Sequence, residues 1–326
     1  MVDISARAPR QGMRIPQFLE GILLLRESKV GMFGAGLVLF WVAVALISGP
    51  LIDFGFLFPP NEPLVPNLFP GSHYLLAAGK LMIETPVEDV CSLITSGMDA
   101  GKFDCGTFWF GTDAVGRDLL SRTMFGARQV LTYAPLAVFC AYAVGIPMGL
   151  AAGFLRGWVD DVLSFTANVI LSFPVLVLYI IVISVFGASA LNIVVAVVFG
   201  SAPTVFRIVR GITLDLCNVE YMLAAETRGE PTWRMLLIEL LPNARGPLIV
   251  DAMLRLGFTV IAIGVLGFLG LGLPPPDPDW GKMVSEMRTF ITVYPHMVLF
   301  PCIAISSLIL GFNLLADGLR EISLRD

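Results

Sequence analysis

The chain has 326 residues, of which 56% are hydrophobic and 14% charged, and its formal net charge is −5. Soluble globular domains carry about 25% charged residues, so this composition excludes an ordinary soluble domain and indicates a membrane protein with several spans. The five cysteines and two histidines show no metal-ligand spacing, and we therefore expect neither a metal site nor a histidine-based catalytic cluster.

The N-terminal part of the chain predicts a first membrane span. Residues 1–29 carry five basic side chains, and residues 30–52 carry no charge. About 20 apolar residues cross a bilayer, and basic residues favour the inner face, so we expect residues 1–29 in the cytosol and a span at 30–52. A cleaved signal peptide is the alternative, but the apolar run is too long and lacks a clear cleavage site.

Residues 53–128 are polar, proline-rich and poor in basic residues, which favours a long extracytoplasmic loop. Cys91 and Cys105 both fall in this loop. An oxidising outer compartment would permit them to form a disulfide, and two unpaired cysteines are the alternative.

The end of this loop, residues 110–128, reads FGTDAVGRDLLSRTMFGAR. Thr112 or Asp113 is suited to cap a helix starting near Ala114, so we expect a helix at 113–128 that lies at the outer interface and leads into the membrane. Its ionic side chains are expected to tie the helix to its neighbours, and direct contact with a substrate is the alternative. These side chains are Asp113, Arg117, Asp118 and Arg122.

The rest of the chain, 129–317, predicts a core of five more spans followed by a cytosolic tail at 318–326. The segment 162–206 is 45 residues long and carries no charge. As a helix it would be roughly 68 Å long, twice the thickness of a bilayer, so it must hold two spans. Their break is expected at Gly187, Ala188 and Ser189, and Pro174 is expected to kink the third span. The other spans are expected at 129–155, 246–273 and 289–316.

Two charged residues fall inside the predicted fifth span. Asp251 and Arg255 are four residues apart and therefore share one helical face. Since a lone charge at this depth costs several kcal/mol, roughly 2.5–3.5 on insertion scales, we expect a structural ion pair. A substrate site is the alternative.

A polar island interrupts the apolar runs between the predicted fourth and fifth spans. The predicted cytosolic loop is 207–245, and within it residues 220–243 read EYMLAAETRGEPTWRMLLIELLPN. We expect a first helix at 221–228 closed by a left-handed Gly229, then a second helix with Pro231 in its first turn. The second helix carries an apolar stripe and is expected to end at Leu241-Pro242. The stripe comprises Trp233, Leu236, Leu237, Leu240 and Leu241.

The two predicted helices form a projecting knob. Its small residues Ala224 and Ala225 would let another chain approach closely. An amphipathic helix lying on the membrane surface is the alternative.

Ala224-Ala225, Gly229 and Leu241-Pro242 together resemble the EAA loop of binding-protein-dependent ABC importers, although Leu223 stands where that family has glutamate. The outer segment is similar to the GTDxxGRDxxSRxxxGAR signature of the dipeptide, oligopeptide and nickel class of ABC permeases. Two later segments, 268–283 and 312–320, also resemble that class, with Ala316 in place of a glycine. The matching outer residues are Gly111, Thr112, Asp113, Gly116, Arg117, Asp118, Ser121 and Arg122.

The resemblance implies an all-α integral membrane protein, a type I importer permease with six spans, of the C-type subunit. Such a subunit lies in the bacterial inner membrane with both termini in the cytosol. It pairs with a second homologous permease, two ATP-binding subunits and an extracytoplasmic solute-binding protein, contacts membrane lipid, and binds no nucleic acid. The resemblance assigns ATPase coupling to Glu220, Tyr221, Ala224, Ala225, Glu226, Arg228, Gly229, Trp233, Leu241 and Pro242.

The sequence contains no Walker A, HExxH or GxSxG motif. We therefore expect a non-catalytic subunit that binds no cofactor, with ATP and magnesium held by the partner subunits. An ion-coupled secondary transporter is the alternative class, but such a protein usually has internal repeats and ionisable residues for ion coupling at the membrane midplane. The solute is left open among peptides, nickel chelates, glutathione, sugars and opine-like compounds.

Overall fold

The computed structural model describes residues 28–54, 56–61, 66–77, 80–83, 103–274 and 277–323. Within these residues, five helices are long and apolar enough to cross a membrane, and a bent pair of helices can supply a sixth span. The five long helices are α1 (Lys29–Asp53), α2 (Leu119–Leu155), α5 (Ala190–Leu216), α8 (Leu241–Phe268, preceded without interruption by residues from Thr232) and α10 (His296–Ser323).

The third span is broken rather than kinked. Helix α3 (Gly157–Leu171) and helix α4 (Val175–Phe186) meet at an angle of 87°. Pro174 lacks an N–H and disfavours helical geometry in the residue before it, so the effect is larger than the predicted kink. The predicted break after this span is confirmed: Gly187 has φ +87°, and the Ser189 side chain accepts a hydrogen bond from the Asn192 N–H at 3.2 Å.

The predicted interfacial helix at 113–128 is wrong in two respects: the helix does not begin at 113, and it is not separate from the second span. The helix begins at Leu119 and continues without interruption to Leu155, so its first turns and the second span are one 37-residue helix. Its N-cap is Asp118, not Thr112 or Asp113. The residues before it form a closed turn instead, in which Thr112 pairs with Asp118.

Helices α2 and α5 pack most closely because glycines on α2 face branched side chains on α5. A Cβ at any of these glycines would lie 2.6 Å from a Cβ of α5, too close to be tolerated. Small residues at four-residue spacing let helices approach in lipid, so this pair is the centre of the bundle. The facing pairs are Gly145 with Val205, Gly149 with Val209, and Gly153 with Thr213.

The segment between α1 and α2 contains a small antiparallel sheet that the sequence analysis did not predict. Strands β1 (Ser72–Ala77), β2 (Lys80–Ile83) and β3 (Phe103–Phe108) run in the order β2-β1-β3. Cys91 lies outside the described residues, and only the backbone of Cys105 is described, in β3. The disulfide between them therefore stays a prediction.

Two short helices complete the chain, α6 (Glu220–Thr227) between α5 and α8, and α9 (Trp280–Met287) between α8 and α10. Helix α9 packs tightly on α8, because Gly281 lies against the carbonyl of Gly264. The Trp280 indole N–H donates to the Thr123 carbonyl at 2.8 Å. Helix α9 thereby joins α8 to the N-terminal end of α2.

Candidate functional site

The polar island folds as a helix, a sharp turn and a second helix. Helix α6 ends at Thr227, and Gly229 has φ +72°, the left-handed geometry expected of it. Pro231 is the N-cap of the next helix rather than a residue of its first turn. The chain reverses direction within four residues, and this brings α6 beside the start of the second helix.

The prediction that Leu241-Pro242 ends the second helix is wrong. A single turn at Thr232–Arg234 (α7) leads into a π-helix at Met235–Leu240, which leads directly into α8. In the π-helix the Leu241 N–H donates to the Leu236 carbonyl, five residues back. The wider turn lets the chain pass Pro242, which has no N–H to donate. The second helix of the island is therefore continuous with α8.

One face of the island packs on the bundle. Met222 and Ala225 of α6, and Met235 and Leu240 of the π-helix, are at most 4% exposed. They belong to a cluster with buried side chains of α2 and α5. The expectation that Ala225 receives another chain is thus wrong: Ala225 faces the bundle, whereas Ala224 is exposed.

The opposite face presents large apolar side chains to the surroundings. We call these five residues the knob surface; their exposed fractions run from 40% at Val219 to 61% at Trp233. The predicted stripe is only partly correct, because Leu240 is buried while Trp233 and Leu237 are exposed. An apolar patch on a polar segment indicates a partner. The knob surface comprises Val219, Leu223, Trp233, Leu237 and Ile238.

Charged side chains brace the turn of the island. Arg228 donates to the Glu230 carboxylate at 2.9 Å, and Arg234 lies 3.6 Å from the same carboxylate. Arg228 is also 3.9 Å from Glu239 of the π-helix. These pairs connect the end of α6 to the second helix. Glu220 and Glu226 are exposed beside the knob surface.

The segment at residues 110–128, which we call the outer motif because the sequence predicts it on the outer face, makes its polar contacts within the chain. Asp113 is 2% exposed and accepts hydrogen bonds from the backbone of Val115 and of Arg117, each at 2.9 Å. The Arg117 guanidinium contacts Asp113 at 2.7 Å and reaches Glu286 of α9 at 2.9 Å. The motif therefore links the start of α2 to α9.

The same motif also anchors the preceding loop. Arg122 is 2% exposed and donates to the Pro60 carbonyl at 3.0 Å and to the Asn61 side chain at 3.1 Å. The Ser121 hydroxyl donates to the Phe58 carbonyl at 2.6 Å. The Thr112 side chain accepts from the Leu68 N–H at 2.9 Å. These contacts are those of side chains tying elements together.

Two glycines and a cap set the shape of the motif. Gly111 and Gly116 have φ of +76° and +94°, and a Cβ on Gly111 would meet the Leu68 carbonyl. Asp118 caps α2 by accepting from the Leu120 and Ser121 N–H groups. Burial raises the pKa of the Asp118 carboxyl to about 6, and the two backbone hydrogen bonds oppose that rise.

The predicted intramembrane pair is present. Arg255 Nε lies 2.6 Å from the Asp251 carboxylate, in the middle of α8. The Tyr142 hydroxyl of α2 donates to the same carboxylate at 2.5 Å. Tyr142 was missed in the sequence, because nothing in the spacing relates residues on two distant helices.

These observations define a class: a multi-span membrane protein in which one span continues into a segment with exposed apolar side chains. Within the described residues no group of three or more side chains could hold a metal ion. The chain belongs to the family of binding-protein-dependent transport system inner membrane components, whose model matches residues 145–325. The matched range contains the whole knob surface.

Two relatives and one solved structure are similar to this chain. A glutathione transport system permease protein, GsiD, of Pectobacterium atrosepticum is 38% identical over 65% of this chain and 71% of its own length. A dipeptide transport system permease protein, DppC, of Alkalihalophilus pseudofirmus is 39% identical over 65% and 70%. The inward-facing MetNI methionine ABC transporter has a similar fold, with TM-score 0.52 and 19% identity over 63% of this chain and 96% of that one.

The predicted family and fold class are confirmed. The chain is a multi-pass inner-membrane permease subunit of an ABC importer, a transport family whose members work with ATP-binding and solute-binding partners.

Proposed function

We propose that this chain forms half of the translocation path for a peptide-like solute, with a second homologous permease forming the other half. Two ATP-binding subunits would hold ATP and magnesium, and an extracytoplasmic binding protein would deliver the solute. The observation that carries the proposal is the knob surface, because its exposed apolar side chains require a partner at one end of a spanning helix. The names of the glutathione and dipeptide relatives support the solute class.

Coupling would pass from the knob surface into the bundle along one continuous helix. Residues from Thr232 to Phe268 form a single helical rod, so a displacement of Trp233 moves the part of α8 that holds Asp251. The Tyr142 bond to Asp251 links that part of α8 to α2. An ATP-driven change need supply only a preference of a few kcal/mol between two arrangements of these helices.

The proposed orientation places the knob surface in the cytosol, together with residues 1–29 and 318–326. The outer motif and the three-stranded sheet then lie on the opposite side, where a binding protein would dock. This arrangement follows from the basic N-terminal flank and the number of spans.

The test is site-directed cross-linking in the assembled transporter. Leu223→Cys, 49% exposed on the knob surface, should cross-link to a cysteine on the ATP-binding subunit. Val115→Cys, 55% exposed in the outer motif, is the matched control and should not. Cross-linking of Leu223→Cys only to reagents added outside intact cells would contradict the orientation.

Transport itself is tested in proteoliposomes. Uptake of labelled dipeptide or glutathione should require ATP, both permeases, the ATP-binding subunits and the binding protein together. Uptake by this chain alone along a proton or sodium gradient would instead establish a secondary transporter. Competition by nickel chelates, sugars or opine-like compounds would redirect the solute assignment without changing the class.

A further inference from the structure

A second feature of the bundle is an apolar groove between α2, α3 and α5. Its volume is about 400 Å³. Val144 of α2 and Val195 and Phe199 of α5 line it and are 44%, 46% and 46% exposed. The residues of α5 that line the groove run from Val194 to Pro203, a rise of roughly 14 Å.

The groove ends beside an arginine without a carboxylate partner. Arg207 lies one turn beyond Pro203 on α5, is exposed, and donates to the Asn168 side chain at 2.6 Å. Asn168 follows a residue that lines the groove. Within the part of the chain that the structure describes, no carboxylate lies within 4.0 Å of Arg207.

The neighbouring arginine, Arg210, has its charge neutralised by a carboxylate. Arg210 makes two bonds to Asp160 of α3, at 2.5 and 2.6 Å. The two arginines lie on the same face of α5 and contact the same helix, α3. Of these two arginines, Arg207 is the one that has no carboxylate partner among the described residues.

An uncompensated guanidinium beside hydrocarbon requires an anion or water, and an apolar groove in a membrane requires an apolar occupant. One molecule that meets both requirements is a phospholipid with an anionic headgroup. Arginine binds phosphate by paired hydrogen bonds, and an acyl chain could lie along Val195 and Phe199.

The lining of the groove suits an acyl chain. Most of its walls are apolar side chains of three helices, and they extend along α5 for roughly 14 Å. A chain of methylene groups can lie along these walls while its headgroup stays at Arg207.

We propose that Arg207 and this groove form a binding site for one anionic phospholipid of the cytoplasmic leaflet, with the phosphate at Arg207 and an acyl chain between α2, α3 and α5. The orientation rests on the proposed function. The lipid would fill the side of α5 opposite its contact with α4, and so stabilise the bend between α3 and α4.

The experiment measures lipid retained by the purified full-length chain. The protein is exchanged into detergent with phosphatidylglycerol or phosphatidylcholine of identical acyl chains, and bound lipid is counted by native mass spectrometry. The wild type should retain phosphatidylglycerol preferentially. Arg207→Gln should lose that preference at least fivefold, and Arg128→Gln, an exposed arginine near the other end of α2, should keep it.

A second variant tests the groove separately from the charge. Val195→Trp fills the groove and should lower retention of both lipids, while Arg207→Lys keeps a cation and should preserve part of the preference. Equal retention of phosphatidylglycerol by wild type and Arg207→Gln would overturn the proposal. Full displacement of phosphatidylglycerol by inorganic phosphate would also overturn it, because the site would then be a free-anion site.

Two further outcomes distinguish other occupants. If Arg207→Cys in phosphatidylglycerol vesicles reacts rapidly with a charged, membrane-impermeant thiol reagent, the side chain faces water and the lipid site is wrong. If the second permease expels all lipid from the groove, the occupant is that subunit. Neither result would affect the cross-linking of Leu223→Cys, so the coupling proposal stands or falls separately.

Discussion

The outer motif and the polar island that carries the knob surface both resemble family signatures, but they use their residues in opposite ways. In the outer motif, Asp113 and Arg122 are each 2% exposed, and both form hydrogen bonds within the chain. On the knob surface, Leu223 and Trp233 are 49% and 61% exposed, and their apolar area is not used within the chain.

The difference in burial distinguishes a motif that stabilises the fold from a motif that binds a partner. A motif whose side chains are satisfied inside one chain fixes the fold, so its loss should unfold the protein. A motif that exposes apolar side chains beside the membrane exists for a partner, so its loss should leave the fold intact and remove activity. Substitutions in the two regions should therefore fail in different assays.

The largest effect is expected for Arg122→Ala in the outer motif. The substitution removes a buried guanidinium that donates to the Pro60 carbonyl and the Asn61 side chain, while Asp113 keeps Arg117 as its partner. Hydrogen bonds to a charged group contribute about 1.5–3 kcal/mol each. Thermal unfolding in detergent should show the loss, together with a lower amount of protein in the membrane.

Arg128→Ala is the matched control for that measurement. Arg128 lies on the same helix but is exposed, so its removal should change the free energy of unfolding by no more than about 0.5 kcal/mol. Equal stability of the two variants would mean that the outer motif does not hold the fold.

The second effect, on the knob surface, should appear only with partners present. Trp233→Ala should leave the unfolding temperature unchanged, because the side chain is 61% exposed. A central aromatic residue of an interface contributes about 2 kcal/mol or more, so affinity for the ATP-binding subunit should fall roughly 30-fold. Surface plasmon resonance with the subunit and ATP-driven uptake measure the two consequences.

A pair of substitutions in α6, Ala225→Arg and Ala224→Arg, compares the buried and exposed faces of one helix. Ala225 is fully buried against the bundle, whereas Ala224 beside it is exposed. Ala225→Arg should therefore lose folded protein, and Ala224→Arg should lose only partner binding. Identical behaviour of the two would contradict the assignment of inner and outer faces of α6.

Much of the fold was predictable because membrane spans follow from charge-free length. The first span and the break at Gly187 came from that signal, and Gly229 was identified because a helix needs a left-handed residue to close sharply. The intramembrane pair followed from the cost of a lone charge, which makes Arg255 and Asp251 partners at four-residue spacing.

The errors have physical causes. The predicted helix end at Pro242 is wrong because, although a proline breaks an α-helix, the preceding π-turn removes the need for its N–H. The same extra residue rotates the stripe, so Leu240 is buried and Trp233 is exposed. The close pairing of Gly149 with Val209 was missed, although the spacing of Gly145, Gly149 and Gly153 contained the signal.

A smaller effect is expected from substitutions at Gly229, because they disturb the backbone geometry and remove no side-chain contact. Gly229 has φ +72°, and a Cβ would meet nothing within 4 Å. Gly229→Ala should thus cost only the left-handed geometry, about 1–2 kcal/mol, lowering uptake with little loss of protein. Gly229→Asn tolerates this geometry and should keep most uptake; equal loss in both variants would assign the glycine another role.

The smallest effect should come from Glu230→Gln, which removes the carboxylate between Arg228 and Arg234. Both arginines are more than half exposed, and pairs of this kind contribute about 0–1 kcal/mol, less at high salt. The variant should bind the ATP-binding subunit slightly more weakly at low salt and equally at high salt. A large, salt-independent loss would mean that the island is held by these charges and not by its buried face, so the contrast between the two regions would no longer be one of burial.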